Sequence, residues 1–184
     1  MPLLGLTLAL LTGCVVTSIY PFYTTKDVSF DATLLGKWGD VDQPEKTDIL
    51  WTFERAGGQT YQLTIPDGST TNSFDAHLFT LDGQKFLDCF TRDRIPYSAP
   101  THLLFRINRM TPQLELQLLS YKWLGELLEK DPKAIRHIIA PAAGDSEEKG
   151  LLVLTADTAE LQTFIRKHLK NTNAWDDPMV LQKR

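Results

Sequence analysis

Apolar and polar positions alternate with a period of two along most of this chain, and the period lengthens to that of a helix at only two places. Segments 49–55, 61–65, 73–81, 85–90, 102–110 and 113–118 carry the two-residue period. Turn residues bound each of them, which is the pattern of an antiparallel sheet. Tyr61, Leu63 and Ile65 alternate with Gln62 and Thr64, and Leu114, Leu116 and Leu118 with Gln113, Glu115 and Gln117. Such strands have one dry face and one wet face. Ala56-Gly57-Gly58, Pro66-Asp67-Gly68 and Asp82-Gly83 are short connections of the hairpin kind, so consecutive strands are expected to be neighbours.

The first helical stretch is Tyr121–Lys130, with Leu124, Leu127 and Leu128 on one face, Glu126 four residues before Lys130, and Asp131-Pro132 as its stop. The second starts at Asp157, where Asp157 and Glu160 form an acidic capping box, and runs along Leu161, Phe164, Ile165, His168 and Leu169 to Asn171. Between them, 134–139 and 150–155 read as strands around a polar loop at 143–149. Leu34-Leu35-Gly36-Lys37-Trp38 opens the strand series, so the domain is expected over 34–171. Residues 14–33 read as an approach and tether, with Tyr20-Pro21-Phe22-Tyr23 on the domain surface or at a membrane interface, and 172–184 as a tail that is polar apart from Trp175. The predicted fold class is mainly β: an antiparallel sheet of about eight or nine strands, with one helix before the last strands and one near the C-terminus.

The first residues differ from everything after them. Leu3, Leu4, Leu6, Leu8, Ala9, Leu10 and Leu11 form an uncharged run that ends in Thr12-Gly13-Cys14. A helix needs about 20 apolar residues to span a bilayer, so the run is too short for a transmembrane anchor and suits the core of a secretory signal. No Lys or Arg stands before Lys26, whereas such signals usually open with basic residues. Leu11-Thr12-Gly13-Cys14 resembles the lipobox of bacterial lipoproteins. The resemblance implies a signal peptide at 1–13, cleavage before Cys14, and acylation of Cys14 with palmitate-like chains. It also implies a domain held outside the cytoplasm on the cell membrane or the outer membrane. Two or more acyl chains anchor stably where one does not.

Nineteen Lys and Arg against 23 Asp and Glu give a formal net charge of −4 with no basic run, which argues against nucleic acid as a partner. Of the two cysteines, an acylated Cys14 would leave Cys89 without a disulfide partner. The strand series, the Gly36-Lys37-Trp38 motif in its first member and the closing helix are similar to lipocalins and the wider calycin barrels. That resemblance implies that the eight or nine strands form an antiparallel lipocalin-like or partly open barrel, in which Trp38 plugs one end with Gly36 turning beside it. No arginine ends the last predicted strand to cover the tryptophan. Tyr20 to Tyr23, Leu34 to Trp38, Pro132 to His137 and Glu160 to Phe164 together also resemble a group of small bacterial lipoproteins without an assigned role.

Candidate chemistry is sparse. His77, His102, His137 and His168 are too far apart in sequence for a helical metal site, and no Gly-x-Ser-x-Gly elbow is present. Neither a metal nor a cofactor is expected. Cys89 and a distant histidine would make a dyad only if the fold joined them, and the loop 91–101 is long enough to serve as a lid. A barrel interior lined by Trp51, Phe53, Phe74, Leu103 and Phe105 would suit a small apolar or amphipathic ligand. The same side chains would equally fill a solid core, leaving a module that meets another envelope protein. A hydrolytic enzyme ranks third.

The address can be tested before the function. Cys14→Ser is expected to move the protein from the membrane to the soluble fraction and to abolish acyl labelling, as followed by fractionation and metabolic labelling.

Overall fold

A computed structural model describes residues 15–46, 50–91, 100–140 and 151–184. In chain order the strands are β1 (Val16–Ser18), β2 (Val28–Ser29), β3 (Gly36–Asp40), β4 (Trp51–Gly57), β5 (Thr60–Asp67), β6 (Thr70–Leu81), β7 (Gln84–Thr91), β8 (His102–Arg109) and β9 (Gln113–Leu118). After these come helix α1 (Tyr121–Lys130), β10 (His137–Ala140), β11 (Leu151–Leu154), helix α2 (Thr158–His168) and β12 (Met179–Lys183). From β3 to β9 each strand is antiparallel to the next. β12 then pairs with both β3 and β9, and the eight strands close into a barrel.

Local chemistry accounts for much of this path. Asp82 and Gly83 both have positive φ, 49° and 81°, as a two-residue type I′ turn between β6 and β7 requires. The Ser120 side chain caps α1 by accepting the Trp123 N–H, and Asp157 caps α2 by accepting from Glu160. Gly36 has φ 114°, a value that favours glycine. It starts β3 two residues before Trp38, whose buried indole donates to the Leu34 carbonyl at 2.8 Å. Lys183 lies opposite Trp38 in register and sets its ammonium 5.3 Å from the ring centroid, so a lysine of the closing strand covers this tryptophan.

The barrel interior forms one hydrophobic core, which includes Trp38, Trp51, Phe53, Tyr61, Phe105 and Leu181. A second core lies outside the wall formed by β6, β7 and β8. There Phe79, Phe86 and Leu104 pack with Leu124 and Leu128 of α1 and with Leu161, Phe164 and Ile165 of α2. β8 shares one edge between two partners: β9 takes its C-terminal part, and β1 pairs at His102 and Leu103. From β1 the sheet continues through β11, parallel to it, to β10, forming a three-stranded annex beside the barrel.

Three expectations need correction. The stretch 15–33 is folded into the domain: β1 is an internal strand of the sheet, β2 pairs with β6, and Phe22 is buried in the second core, although Tyr20 stays on the surface. The residues 172–184 are not a tail, because Trp175 is buried and Met179–Lys183 closes the barrel. The strand expected at 134–139 begins only at His137, after a turn in which the Ala134 N–H bonds to the Asp131 carbonyl. The loop at 143–149 lies outside the described residues.

The closing strand carries a direct test. A chain ended after Asp177 exposes edges on β3 and β9 and uncovers Trp38. It is expected to lose its cooperative denaturant transition and to elute as aggregate in size-exclusion chromatography. A monomer with an unchanged midpoint would show that β12 is dispensable.

Candidate functional site

Strand alternation decides which polar groups meet. Asp88 follows Leu87 and precedes Cys89 in β7, so Leu87 and Cys89 point into the barrel and Asp88 points to the outer wall. Its carboxylate is fully buried there. A buried, unpaired carboxylate would cost several kcal/mol, and two partners prevent that here. Oδ2 accepts the backbone N–H of Phe22 at 2.9 Å, and Oδ1 faces Nδ1 of His102 at 2.7 Å. Because Nδ1 is held by the carboxylate, Nε2 is the ring nitrogen of His102 left for another partner. The ring also lies against Phe90, its register partner, with centroids 4.7 Å apart.

His77 of β6 stands opposite Asp88 in register. The Tyr23 hydroxyl meets its Nδ1 at 3.2 Å and the Thr60 hydroxyl its Nε2 at 3.1 Å, and the Tyr23 ring stacks on it at 4.7 Å. Burial pushes His77 below the ordinary histidine pKa, with Asp88 and Asp75 opposing the shift. Tyr23 is pushed up to about 12, chiefly by burial and then by Asp88 and Asp75. Tyr23 therefore keeps its proton, and the Tyr23 and Thr60 hydroxyls hydrogen-bond the two ring nitrogens of His77 in directions that follow the imidazole tautomer.

Tyr23, Thr60, Asp75, His77, Phe90 and His102 line an open cleft of about 520 Å³, with Ala56 and Gly57 at its β4 side. Two further clefts lie near α1, beside Trp123, Glu126 and Asp177, and near Lys85 and Arg109. Neither reaches the Asp88 network. Among the described residues no three His, Cys, Asp or Glu side chains are grouped to hold a metal ion.

The barrel brings Trp51, Phe53, Phe74, Leu103 and Phe105 into one interior cluster, where they keep between 0 and 7 % of their surface accessible. Trp51 and Phe105 meet edge to face at 5.6 Å, as do Phe53 and Tyr61 at 6.3 Å. Gly36 and Trp38 lie in the adjoining wall, and Cys14 is outside the described residues. Cys89 does not meet a histidine, because it faces the interior while His77 and His102 line the outer wall. Its thiol is raised well above the ordinary range by burial and then by Asp88, the state of an inert packed cysteine. His168 packs between Trp123 and Phe164, and burial lowers its pKa. Residues 92–99 of the predicted lid loop lie outside the described residues.

The pairing of Asp88 with His102 escaped the sequence reading. Its one signal was a carboxylate inside the apolar run Phe86-Leu87-Asp88-Cys89-Phe90, since such a group survives in a core only with a partner. No protein family, curated protein or solved structure is matched by this chain.

Removing the carboxylate strands both partners. Asp88→Ala is expected to lower unfolding free energy by about 3–5 kcal/mol, the range for breaking a buried pair, as measured by denaturant titration. A loss below about 1 kcal/mol would show that Asp88 does not organise this wall.

Proposed function

We propose that this protein is a membrane-anchored binding module whose barrel is a solid scaffold and whose ligand site is the cleft on the outer wall. The carrying observation is the contrast between the two places a ligand might occupy. Trp51, Phe53 and Phe105 keep 3 % or less of their surface accessible, so an apolar guest would have to part an already packed core. The cleft is open at about 520 Å³, and its polar floor is held in place by Asp88 and the Phe22 N–H.

Its chemistry suits a small molecule that is polar along one edge and flat or apolar on its faces. Phe90 and Tyr23 supply aromatic surface, and His102 supplies a ring nitrogen whose direction the carboxylate sets. Binding is favoured over hydrolysis because the buried cysteine lies on the far side of the strand and Tyr23 holds its proton. The anchor is part of the proposal: the lipobox-like Leu11-Thr12-Gly13-Cys14 supports attachment to a bacterial membrane, with the domain outside the cytoplasm.

Native mass spectrometry separates the readings. The Cys14→Ser chain, purified without detergent from its own host, is expected to carry an extra mass that disappears on denaturation. Ala56→Trp, which places a bulky ring in the cleft at an exposed position, should lose that mass. Retention of the mass in Ala56→Trp would place the ligand in the barrel. A bare chain mass in both would overturn the small-ligand reading in favour of an envelope protein partner.

A further inference from the structure

The outer face of the annex breaks the rule that its neighbours follow. A sheet with one face on a core normally turns polar residues to water on the other. The inner face of the annex places Val16, Leu152 and Leu154 in the second core. Thr17, Val153 and Ile138 form one row across β1, β11 and β10, and alternation sends this row to the opposite face, together with Leu151. Ile19 continues the same alternation and stays on the ladder through its N–H to the Leu154 carbonyl at 3.0 Å. On this face Ile19 is 44 %, Leu151 45 % and Ile138 55 % exposed. The three strands contain no Asp, Glu, Lys or Arg.

We infer that this face lies on the lipid surface to which the chain is anchored. The inference rests on the acylated Cys14 of the proposed function, and the position of that residue identifies the occupant. Cys14 is joined directly to Val15, which is bridged to Ser120, and Val16 is already buried in the sheet. An extended residue spans about 3.3–3.6 Å, so the acyl attachment is roughly 7 Å of chain from Val16. Strands lie about 4.8 Å apart, which puts Ile138 roughly 10 Å from Thr17. An anchor with so short a lead holds the annex against the headgroups and leaves little room for a protein between them. Tyr20, 48 % exposed beside Ile19, has the amphipathic ring found at membrane interfaces. The helices cover Val16, Leu152 and Leu154 on the opposite face, where Ile139 at the β10 edge is still 53 % exposed, so the domain would rest on the Ile19, Ile138 and Leu151 side and its rim at β10 with α1 and α2 toward water.

Spin-label depth measurement tests this on the full acylated chain in vesicles of phosphatidylethanolamine and phosphatidylglycerol. Labels are placed by Ile138→Cys and Leu151→Cys, with Glu129→Cys on exposed α1 surface as reference. Cys89 is buried with a raised thiol pKa and stays unlabelled. The same labels on the soluble Cys14→Ser chain supply the aqueous baseline, and intact mass reports acylation. The expected result is a severalfold loss of collisions with a water-soluble nickel chelate at 138 and 151 on vesicle binding, with none at 129. An acylated chain whose 138 label remains as open to nickel as in solution would overturn the docking and leave the anchor standing. Protection of 138 already present in the soluble chain would also overturn it. A membrane-isolated chain with no acyl mass on Cys14 would overturn both.

Discussion

Among the described residues, β6, β7 and β8 each bury side chains on both faces, and the remaining architecture follows from that constraint. β6, β7 and β8 form one wall of the barrel and also the floor on which α1 and α2 pack. Leu87, Cys89 and Phe105 fill the barrel while Phe79, Phe86 and Leu104 fill the second core. β6 keeps the expected alternation where Asp75 and His77 face the cleft, but a strand with two dry faces cannot hold the alternation expected at 85–90 and 102–110. It reads instead as a near-continuous apolar run, as His102-Leu103-Leu104-Phe105 does before Arg106. Every polar group on such a strand then has to find an internal partner.

Asp88 is where that demand is met. Its carboxylate ties the backbone of Phe22 and the ring of His102 to one strand, which fastens the N-terminal segment to the wall and fixes the side of the cleft. Gln162 of α2 donates to the Phe22 carbonyl at 3.1 Å and to Asp27 at 2.8 Å, so the same segment is held from the helix layer as well. The cleft is thus a by-product of how two cores share a wall. Its floor is rigid because the groups beneath it are buried and hydrogen-bonded, while its rim at the β4–β5 connection is open to solvent.

The annex extends the shared wall beyond the barrel. β1 comes from the chain's first described residues and β10 and β11 from its second half, and β11 runs parallel to β1. Parallel pairing across that sequence distance places the segment next to Cys14 on a surface built mostly by other parts of the chain. With the anchor proposed at Cys14, the orientation of the domain would follow from sheet topology and not from a linker.

Periodicity alone determined the elements whose signals are local. Gln113–Leu118 and Tyr121–Lys130 have the predicted bounds, α2 starts at its predicted cap, and Asp82-Gly83 turns where it should. The neighbouring of consecutive strands followed from their short connections, because hairpins force neighbours in sequence to be neighbours in space, and the barrel followed from the lipocalin resemblance. Its closure did not: Met179–Lys183 is too short to carry a recognisable alternation, and it becomes a strand only because β3 and β9 each leave an edge unpaired. For the same reason Lys183, unremarkable in sequence, covers Trp38. The five interior candidates were legible as large apolar residues in strands, but not how tightly they would pack. The Asp88, His102 and His77 arrangement was illegible for a further reason: it depends on strand register and on which face each residue takes. Those are set by packing between segments distant in sequence, and a single linear pattern does not contain them.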